Sequence, residues 1–248
     1  MSFKDHFSGH AGSYAAARPR YPASLYAWLA QIVPTRGHAW DCATGSGQAA
    51  VALAAHFDRV TATDASAGQI DNASAHERVR YAVAPAEASG LGDGSIDLIT
   101  VAQALHWFDH ARFYTESHRV LREHGVLAAW SYGLSRVSPA IDRIVDALYE
   151  DLLGPWWPPE RRHVENGYRD LPFPFTEIPA PEFSMQFSWT LPQFIAYLHT
   201  WSAMQRYLRE HDPSAIDALE TRLARAWGGA DRVRSVNWPL TLRVGRKA

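Results

Sequence analysis

Two glycines directly behind a short apolar run constrain this chain more than any other feature. Residues 41–47 read Asp-Cys-Ala-Thr-Gly-Ser-Gly, they follow the apolar pair Ala39-Trp40, and residues 48–55 have the composition of a helix. A strand, a tight glycine turn and a helix therefore follow one another. Because glycine lets a ligand approach bare backbone and a helix N-terminus favours polar or anionic groups, this segment predicts a site for a nucleoside-containing cofactor.

Two classes of cofactor compete for this turn. Gly45, Gly47 and Ala50 fit the G-x-G-x-x-G/A pattern of dinucleotide-binding proteins, and Asp64, 19 residues after Gly45, suits the ribose hydroxyls of either class. The carboxylate of Asp41 would lie close to a pyrophosphate and repel it. It suits a cationic ligand instead, such as the ammonium group of S-adenosylmethionine (SAM). The acidic residue therefore favours SAM, and a nicotinamide-dependent oxidoreductase is the alternative.

Further motifs follow in the order of a known family. Residues 41–47 resemble motif I, D/E-x-G/A-x-G-x-G, of the class I SAM-dependent methyltransferases, and residues 63–66 resemble the ribose-binding acidic motif of that family. Residues 84–88 resemble the element that borders adenine. Residues 95–107 resemble the fourth strand with its following loop, and residues 119–127 resemble the helix and turn that lead into the fifth strand. This ordered series is more specific than a single glycine motif.

Two further segments are similar to one branch of that family. Residues 14–22, with Tyr14 and Arg18, and the pair His106-Trp107 are similar to a small-molecule branch that includes the trans-aconitate methyltransferase-like proteins. The resemblance implies methyl transfer from SAM to a small-molecule acceptor, with S-adenosylhomocysteine (SAH) as the product. A carboxylate or another small acidic or aromatic metabolite is the expected acceptor. The alternatives are an NAD(P)-dependent oxidoreductase and a SAM-binding protein without turnover.

The resemblance also implies an α/β, Rossmann-like class I methyltransferase fold with a doubly wound, mostly parallel, seven-stranded sheet. The alternation of predicted strands and helices up to about residue 131 agrees with it. We expect a SAM-binding core at residues 1–133, and a helical cap with the last antiparallel strands at residues 134–248. Those strands are assigned to residues 182–189 and 236–245. Helices are predicted near 66–76 and 191–208, and the proline-rich stretch 171–181 is predicted to be an ordered surface excursion.

Site residues follow from the motifs. Arg18 suits the carboxylate of the methionine moiety, since its fork matches a carboxylate, and Trp107 can form a cation–π contact with the sulfonium. His106 is the candidate catalytic residue, as a base or as a group that positions the acceptor, and a capping or core histidine is the alternative. The predicted cofactor-binding residues are Tyr14, Arg18, Asp41, Ala43, Gly45, Gly47, Asp64, Ala65, Ala86, Glu87, Gln103 and Trp107.

Composition limits the kinds of partner that we expect the protein to bind and the compartment in which we expect it. A net charge of −2 gives no electrostatic footprint for nucleic acid or an anionic membrane surface, and no apolar run approaches the length of a membrane span. The single cysteine, Cys42, and an N-terminus without an apolar signal sequence favour the cytoplasm. His106 and His110 have no third ligand motif, so no metal site is predicted. The oligomeric state stays open.

Arginines and aromatic residues share the C-terminal half. Arg161, Arg162, Arg206 and Arg209 occur beside Tyr168, Trp201 and Tyr207, a combination that suits a small acidic or aromatic acceptor, although solvated arginines over a tryptophan-rich core have the same pattern. Methyl transfer needs a base only where the acceptor has to lose a proton, and a carboxylate needs none at neutral pH.

Overall fold

The computed structural model describes residues 20–248, which form one mixed β-sheet with helices on both faces. The strands lie in the order β3-β2-β1-β4-β5-β8, and β6 and β7 both pair with β8. Strands β1 to β5 are parallel, and β8 runs antiparallel to its neighbours. The strands span His38–Cys42 (β1), Arg59–Asp64 (β2), Val79–Val83 (β3), Ile96–Ala102 (β4), Leu121–Tyr132 (β5), Thr176–Glu177 (β6), Phe183–Trp189 (β7) and Arg234–Arg246 (β8).

The helices cover the central strands completely. Strand β1 is buried along its whole length, as is usual for a parallel strand with helices on both sides. Within residues 20–248 the α-helices are α1 (Ala23–Ile32), α2 (Gln48–Leu53), α3 (Ala67–Asp71), α4 (His110–Val120), α5 (Pro139–Ala147), α6 (Arg161–Glu165), α7 (Leu191–His199), α8 (Ser202–Glu210) and α9 (Ser214–Trp227). No helix in this part of the chain is both long and apolar enough to span a bilayer.

The predicted fold class is confirmed, with one added strand. The region described contains eight strands, but β6 and β7 occupy the same edge of the sheet, since they pair with opposite ends of the 13-residue β8. The sheet therefore has seven strand positions. The predicted antiparallel strands are confirmed as β7 and β8. Pro179 and Pro181 lie between β6 and β7 and carry no N–H, so they cannot continue the ladder.

Two predicted helices are shorter than expected. The helix predicted at 66–76 ends at Asp71, where the chain turns to bond with its neighbours: Ser74 donates from its backbone to the carbonyl of Ser46, and the Tyr81 hydroxyl donates to the carbonyl of Ser74. The helical segment predicted at 191–208 is divided into α7 and α8 by an extended residue, Trp201, whose side chain is buried among aromatic rings. Tertiary contacts outweigh helical periodicity in both places.

Aromatic and polar contacts anchor the proline-rich stretch 171–181 to α4 and β8, as predicted. The Tyr114 hydroxyl donates to the carbonyl of Pro172, and the ring of His118 stacks on Phe175 with centroids 4.4 Å apart. Arg243 of β8 donates to the carbonyls of Tyr168 and Leu171, both at 2.8 Å. The bond to Tyr168 also fixes the chain that precedes the stretch.

Buried Asp97 provides a test of what stabilises this sheet. It lies at the start of β4, fully buried, and accepts hydrogen bonds from the His38 N–H at 2.7 Å and from Arg122 at 2.8 Å. We expect Asp97→Ala to lower the free energy of unfolding by about 2–4 kcal/mol, because a buried donor and a cation lose their acceptor.

The control is Asp93→Ala, which removes an ion pair to Arg119 from a side chain that is 81% exposed. We expect a loss of less than about 1 kcal/mol for this surface pair. Urea denaturation measures both variants. Equal losses in the two would contradict the structural role assigned to Asp97.

Candidate active site

The predicted site residues converge where the parallel strands end. Ala43 follows β1 and Gln103 follows β4, and both adopt left-handed backbone angles, with φ of 55° and 58°. Such angles are uncommon outside glycine and mark positions that surrounding structure holds in place. Gln103 is held from both sides, since its N–H donates to the Trp130 carbonyl at 2.9 Å and its side chain donates to the Tyr132 carbonyl at 3.0 Å.

Asp41 is a buried carboxylate at the end of β1. It is 1% exposed and accepts hydrogen bonds from the hydroxyls of Thr44 and Thr100. Thr100 is its register partner on β4, a contact that the sequence motif did not reveal. Burial raises the pKa of Asp41 to about 6, although both hydroxyl bonds oppose the shift. A cationic ligand beside this carboxylate would stabilise its ionised form.

Asp64 ties the end of β2 to the glycine loop. Its two carboxylate oxygens accept from the N–H of Gly45 and the N–H of Ser66, both at 2.9 Å. Each oxygen keeps a second lone pair, so the side chain can also accept from ribose hydroxyls. Asp64 thus shapes the loop in addition to its predicted contact with the cofactor.

Gly47 cannot be replaced without strain. Its φ is 83°, and a Cβ atom there would lie 2.2 Å from the hydroxyl oxygen of Tyr81. That hydroxyl is itself fixed by its bond to Ser74. The close approach explains the glycine at the start of α2.

Three of the predicted acidic residues affect the pKa of the buried thiol of Cys42. Burial raises the pKa of Cys42 well above its ordinary value, and the charges of Asp41, Glu87 and Asp64 raise it further. Asp41 and Asp64 lie at the ends of β1 and β2, and Glu87 lies in the loop after β3. The same shift keeps Cys42 protonated, in agreement with a packing role.

The element at residues 84–88, which is predicted to border adenine, is hydrogen-bonded to the start of α4. Ala86 is buried in the core, and the Glu87 carboxylate accepts from the N–H of Asp109, the capping residue of α4, at 2.9 Å. Ala65 is half-buried between Asp64 and Ser66. Tyr14 and Arg18 lie outside the described residues, so their predicted contacts with the methionine moiety stay predictions.

His106 and Trp107 lie in a single 3₁₀ turn after β4. His106 is 9% exposed, and its Nδ1 lies 3.0 Å from the hydroxyl of Tyr168. Burial lowers the pKa of His106 to about 3, and the charges of Arg161, His163 and His110 lower it further. The imidazole is therefore neutral at physiological pH. Trp107 is 36% exposed, with its ring 4.7 Å from that of His106.

Arg161 of α6 lies beside a cluster of aromatic rings, which we call the aromatic cluster. Its Nε donates to the Tyr149 hydroxyl at 2.8 Å, and its guanidinium lies 5.1 Å from the Trp157 ring. The Tyr149 hydroxyl donates in turn to Glu165. Among the residues from Arg20 onward, Arg161 forms no ion pair, and its terminal nitrogens have no acceptor. The aromatic cluster consists of Tyr149, Trp157, Tyr197 and Trp201.

The charge of Arg161 affects the pKa of residues on other elements. It lowers the pKa of His106 and opposes the burial that raises the pKa of Tyr168 and of Tyr197, the latter to about 12. The sequence indicated arginines and aromatic residues in this half of the chain, but it did not single out Arg161. Spacing alone could not have done so, because Arg162 next to it is exposed.

Comparison with known proteins decides the family. A family model described as a methyltransferase domain matches residues 40–129. A Dictyostelium discoideum protein assigned as a methyltransferase is 34% identical to this chain, over 99% of the chain and 96% of that protein. The chain belongs to the class I SAM-dependent methyltransferases.

The solved structures include a similar protein. The structure of a protein assigned as a type II methyltransferase from Anaeromyxobacter dehalogenans is 48% identical, covers 92% of this chain and 97% of its own, and superposes with a TM-score of 0.88. A Saccharomyces cerevisiae protein assigned as a SAM-dependent methyltransferase is 25% identical over 84% of the chain and 83% of that protein. The cofactor of the enzyme is therefore SAM, and the nicotinamide alternative is wrong. The trans-aconitate-like branch stays a prediction.

The residues at the strand ends fit SAM chemically. Asp41 offers a buried anion to a cationic group, and Asp64 offers acceptors for ribose hydroxyls. The glycine at position 47 lets the loop pack closely against Tyr81 with its left-handed backbone. We infer that Asp41, Ala43, Gly45, Gly47, Asp64, Ala65, Ala86, Glu87, Gln103 and Trp107 form the described part of the cofactor site.

Asp64 can be tested by its effect on cofactor affinity. We expect Asp64→Ala to weaken SAM binding by about 2–4 kcal/mol, because ribose loses charge-assisted hydrogen bonds and the Gly45 N–H loses its acceptor. Calorimetry with SAM measures the loss. Asp71→Ala, which removes an exposed carboxylate from α3, is the control. Unchanged affinity in Asp64→Ala would contradict the assigned role.

Asp41 predicts a pH dependence for the same equilibrium. Its pKa in the folded protein, about 6, exceeds that of an unfolded aspartate, so its contribution to stability falls as pH rises from about 4 to about 6. SAM affinity should rise over the upper part of this range, since the ammonium group favours ionised Asp41. In Asp41→Asn we expect weaker SAM binding and no rise of SAM affinity over this pH range. Calorimetry at several pH values measures it, and an identical pH profile in the variant would exclude Asp41 as the cause.

Proposed function

We propose that the enzyme methylates a small acidic molecule held between the aromatic cluster and the turn that carries His106. One observation carries this proposal. Arg161 is half-buried beside aromatic rings, no carboxylate in residues 20–248 forms an ion pair with it, and the Tyr149 hydroxyl lies between it and Glu165. A guanidinium in such surroundings is a strong site for a carboxylate, since its planar fork donates two parallel hydrogen bonds.

The aromatic cluster supports an acceptor with a flat or apolar body. The rings of Tyr149 and Trp157 lie 4.7 Å apart, and those of Trp157 and Trp201 lie 5.7 Å apart. Such rings bury apolar surface and exclude water from the neighbourhood of Arg161. Inside a drier site the attraction between a carboxylate and the guanidinium is stronger than in water.

Positioning is the chemistry that these residues perform. When bound, SAM supplies a methyl group on a sulfonium that is already a good leaving group. Asp41 and Asp64 would hold the cofactor at the strand ends, while Arg161 would orient the acceptor. Holding both reactants in line converts a bimolecular reaction into an effectively unimolecular one. The helical part of residues 134–235 acts here as a cap over the core of residues 1–133.

The acceptor class determines the proton balance. Methyl transfer to a carboxylate forms the O–C bond, breaks the S–C bond and releases no proton. Transfer to a neutral phenol, or to an aliphatic amine that enters as an ammonium ion, releases one proton for each methyl group. A panel of carboxylates, phenols and amines, assayed for SAH formation in weak buffer with a pH indicator, identifies the class. We expect turnover without acidification, and turnover confined to neutral acceptors would refute the proposal.

Arg161 is the residue to change. We expect Arg161→Gln to raise the KM for an acidic acceptor by about 10- to 100-fold, because a charge-assisted hydrogen bond is worth about 1.5–3 kcal/mol. SAM affinity should change by less than about twofold. Arg162→Gln, on the same helix but exposed, is the matched control. Equal effects in the two variants would show that Arg161 does not bind the acceptor.

Two further expectations accompany this function. A cytoplasmic location agrees with a single, buried cysteine. A small acceptor agrees with the net charge of −2, which provides no basic surface for nucleic acid.

A further inference from the structure

Tyr168 is a buried tyrosine held rigidly against His106. It is fully buried, its φ is 60°, and it directly follows Gly167, which also has a φ of 60°. Arg243 of β8 fixes its carbonyl at 2.8 Å. Its hydroxyl lies 3.0 Å from Nδ1 of His106, and the two rings stack with centroids 6.0 Å apart. This backbone is constrained on both sides, so the contact is built into the fold.

The proton in this contact belongs to Tyr168. Burial raises the pKa of the phenol and lowers that of the imidazole, so both groups are neutral at physiological pH. The charge of Arg161, the side chain of Ser131 and the backbone of Leu105 oppose this rise in the pKa of Tyr168. A phenol hydroxyl is a good donor and an imidazole nitrogen a good acceptor, whereas the reverse arrangement uses the weakly basic phenol oxygen. The Tyr168 hydroxyl therefore donates to Nδ1.

The direction of this hydrogen bond determines which ring nitrogen of His106 carries the proton. If Nδ1 accepts, then the single proton of the neutral ring is on Nε2. Between Arg20 and the C-terminus no residue forms a hydrogen bond with Nε2 of His106. We propose that Tyr168 is a positioning residue, which holds His106 in the Nε2–H tautomer so that His106 donates a hydrogen bond to the acceptor instead of removing a proton from it.

The surroundings of His106 support the neutral form. Arg161, His163 and His110 face it from α6 and the start of α4, and all of them disfavour a positively charged ring. His110 bonds to the carbonyl of Leu105 at 2.9 Å, and His163 bonds to Asp170 at 2.8 Å. No carboxylate among these contacts reaches His106 to stabilise an imidazolium. A donor of this kind complements Arg161 in holding an anionic acceptor, so the proposal rests on the proposed function.

The tautomer can be measured without any acceptor. Nitrogen-15 NMR of histidine-labelled protein with bound SAH distinguishes the two neutral tautomers, and the His106 signal among the 12 histidines is assigned from its loss in His106→Gln. We expect the Nε2–H tautomer in the unaltered protein and a mixture in Tyr168→Phe. The Nδ1–H tautomer in the unaltered protein would overturn the proposal, whatever the acceptor is.

Two substitutions of His106 separate a donor from a base. The glutamine amide can still donate a hydrogen bond but cannot take up a proton. If His106 is a donor, we expect kcat in His106→Gln to stay within about tenfold, and in His106→Ala to fall by about 100-fold or more. A base would lose similar activity in both variants. With a donor, the pH–rate profile shows no acid limb attributable to His106 between about pH 5 and 8.

Tyr168→Phe requires a control for folding. Tyr114→Phe removes another buried phenol hydroxyl, one that bonds to the Pro172 carbonyl instead of to a histidine. We expect similar thermal unfolding of the two variants, but a higher acceptor KM and an altered His106 signal only in Tyr168→Phe. If both variants lose activity equally with the His106 signal unchanged, Tyr168 is only structural and the proposal is wrong.

Discussion

The bonds from Gly45 and Ser66 to the carboxylate of Asp64 are the constraint on which the proposed cofactor site depends. They join the loop after β1 to the end of β2, and so fix the glycine turn relative to the sheet. A loop of small residues has little packing of its own to hold it in place. A charged acceptor with two backbone donors gives this loop a defined shape, and charge-assisted bonds of this kind are among the stronger ones in proteins. The left-handed angle of Ala43 is maintained within this frame.

A second carboxylate, that of Asp41, has a different role at the same edge of the sheet. Asp41 is enclosed with two threonine hydroxyls, and no cation among residues 20–248 forms an ion pair with it, so its charge is costly. Two hydroxyl donors lessen this cost but do not remove it, which is why burial still dominates its pKa. The site is therefore prepared to favour a positive charge. This property separates a SAM site from a dinucleotide site more sharply than the glycine pattern does.

The acceptor side follows a similar principle with the opposite charge. Arg161 is surrounded by aromatic rings that attract its cation but accept no strong hydrogen bonds, and Tyr149 satisfies one nitrogen only. Burial keeps His106 neutral, and the charge of Arg161 adds to this effect and acts on Tyr168 as well. Binding of an anion would complete the hydrogen bonds of Arg161 and reduce the effect of its charge. In the proposed function, binding of the acceptor to Arg161 would thereby be coupled to the electrostatics of the turn that follows β4.

The sequence by itself determined the fold class and the family, and it predicted the position of the cofactor site, because these depend on residues close together in the chain. A glycine turn between a strand and a helix, and an acidic residue at a strand end, have local physical reasons. Only the tertiary structure decided which residues complete the site. Thr100 meets Asp41 from 59 residues away, and Tyr168 meets His106 from 62 residues away. Arg161 differs from Arg162 in its burial, in its bond to Tyr149 and in the rings around it. Such contacts depend on strand register and on how the cap folds back over the sheet, and neither has a signature in local spacing.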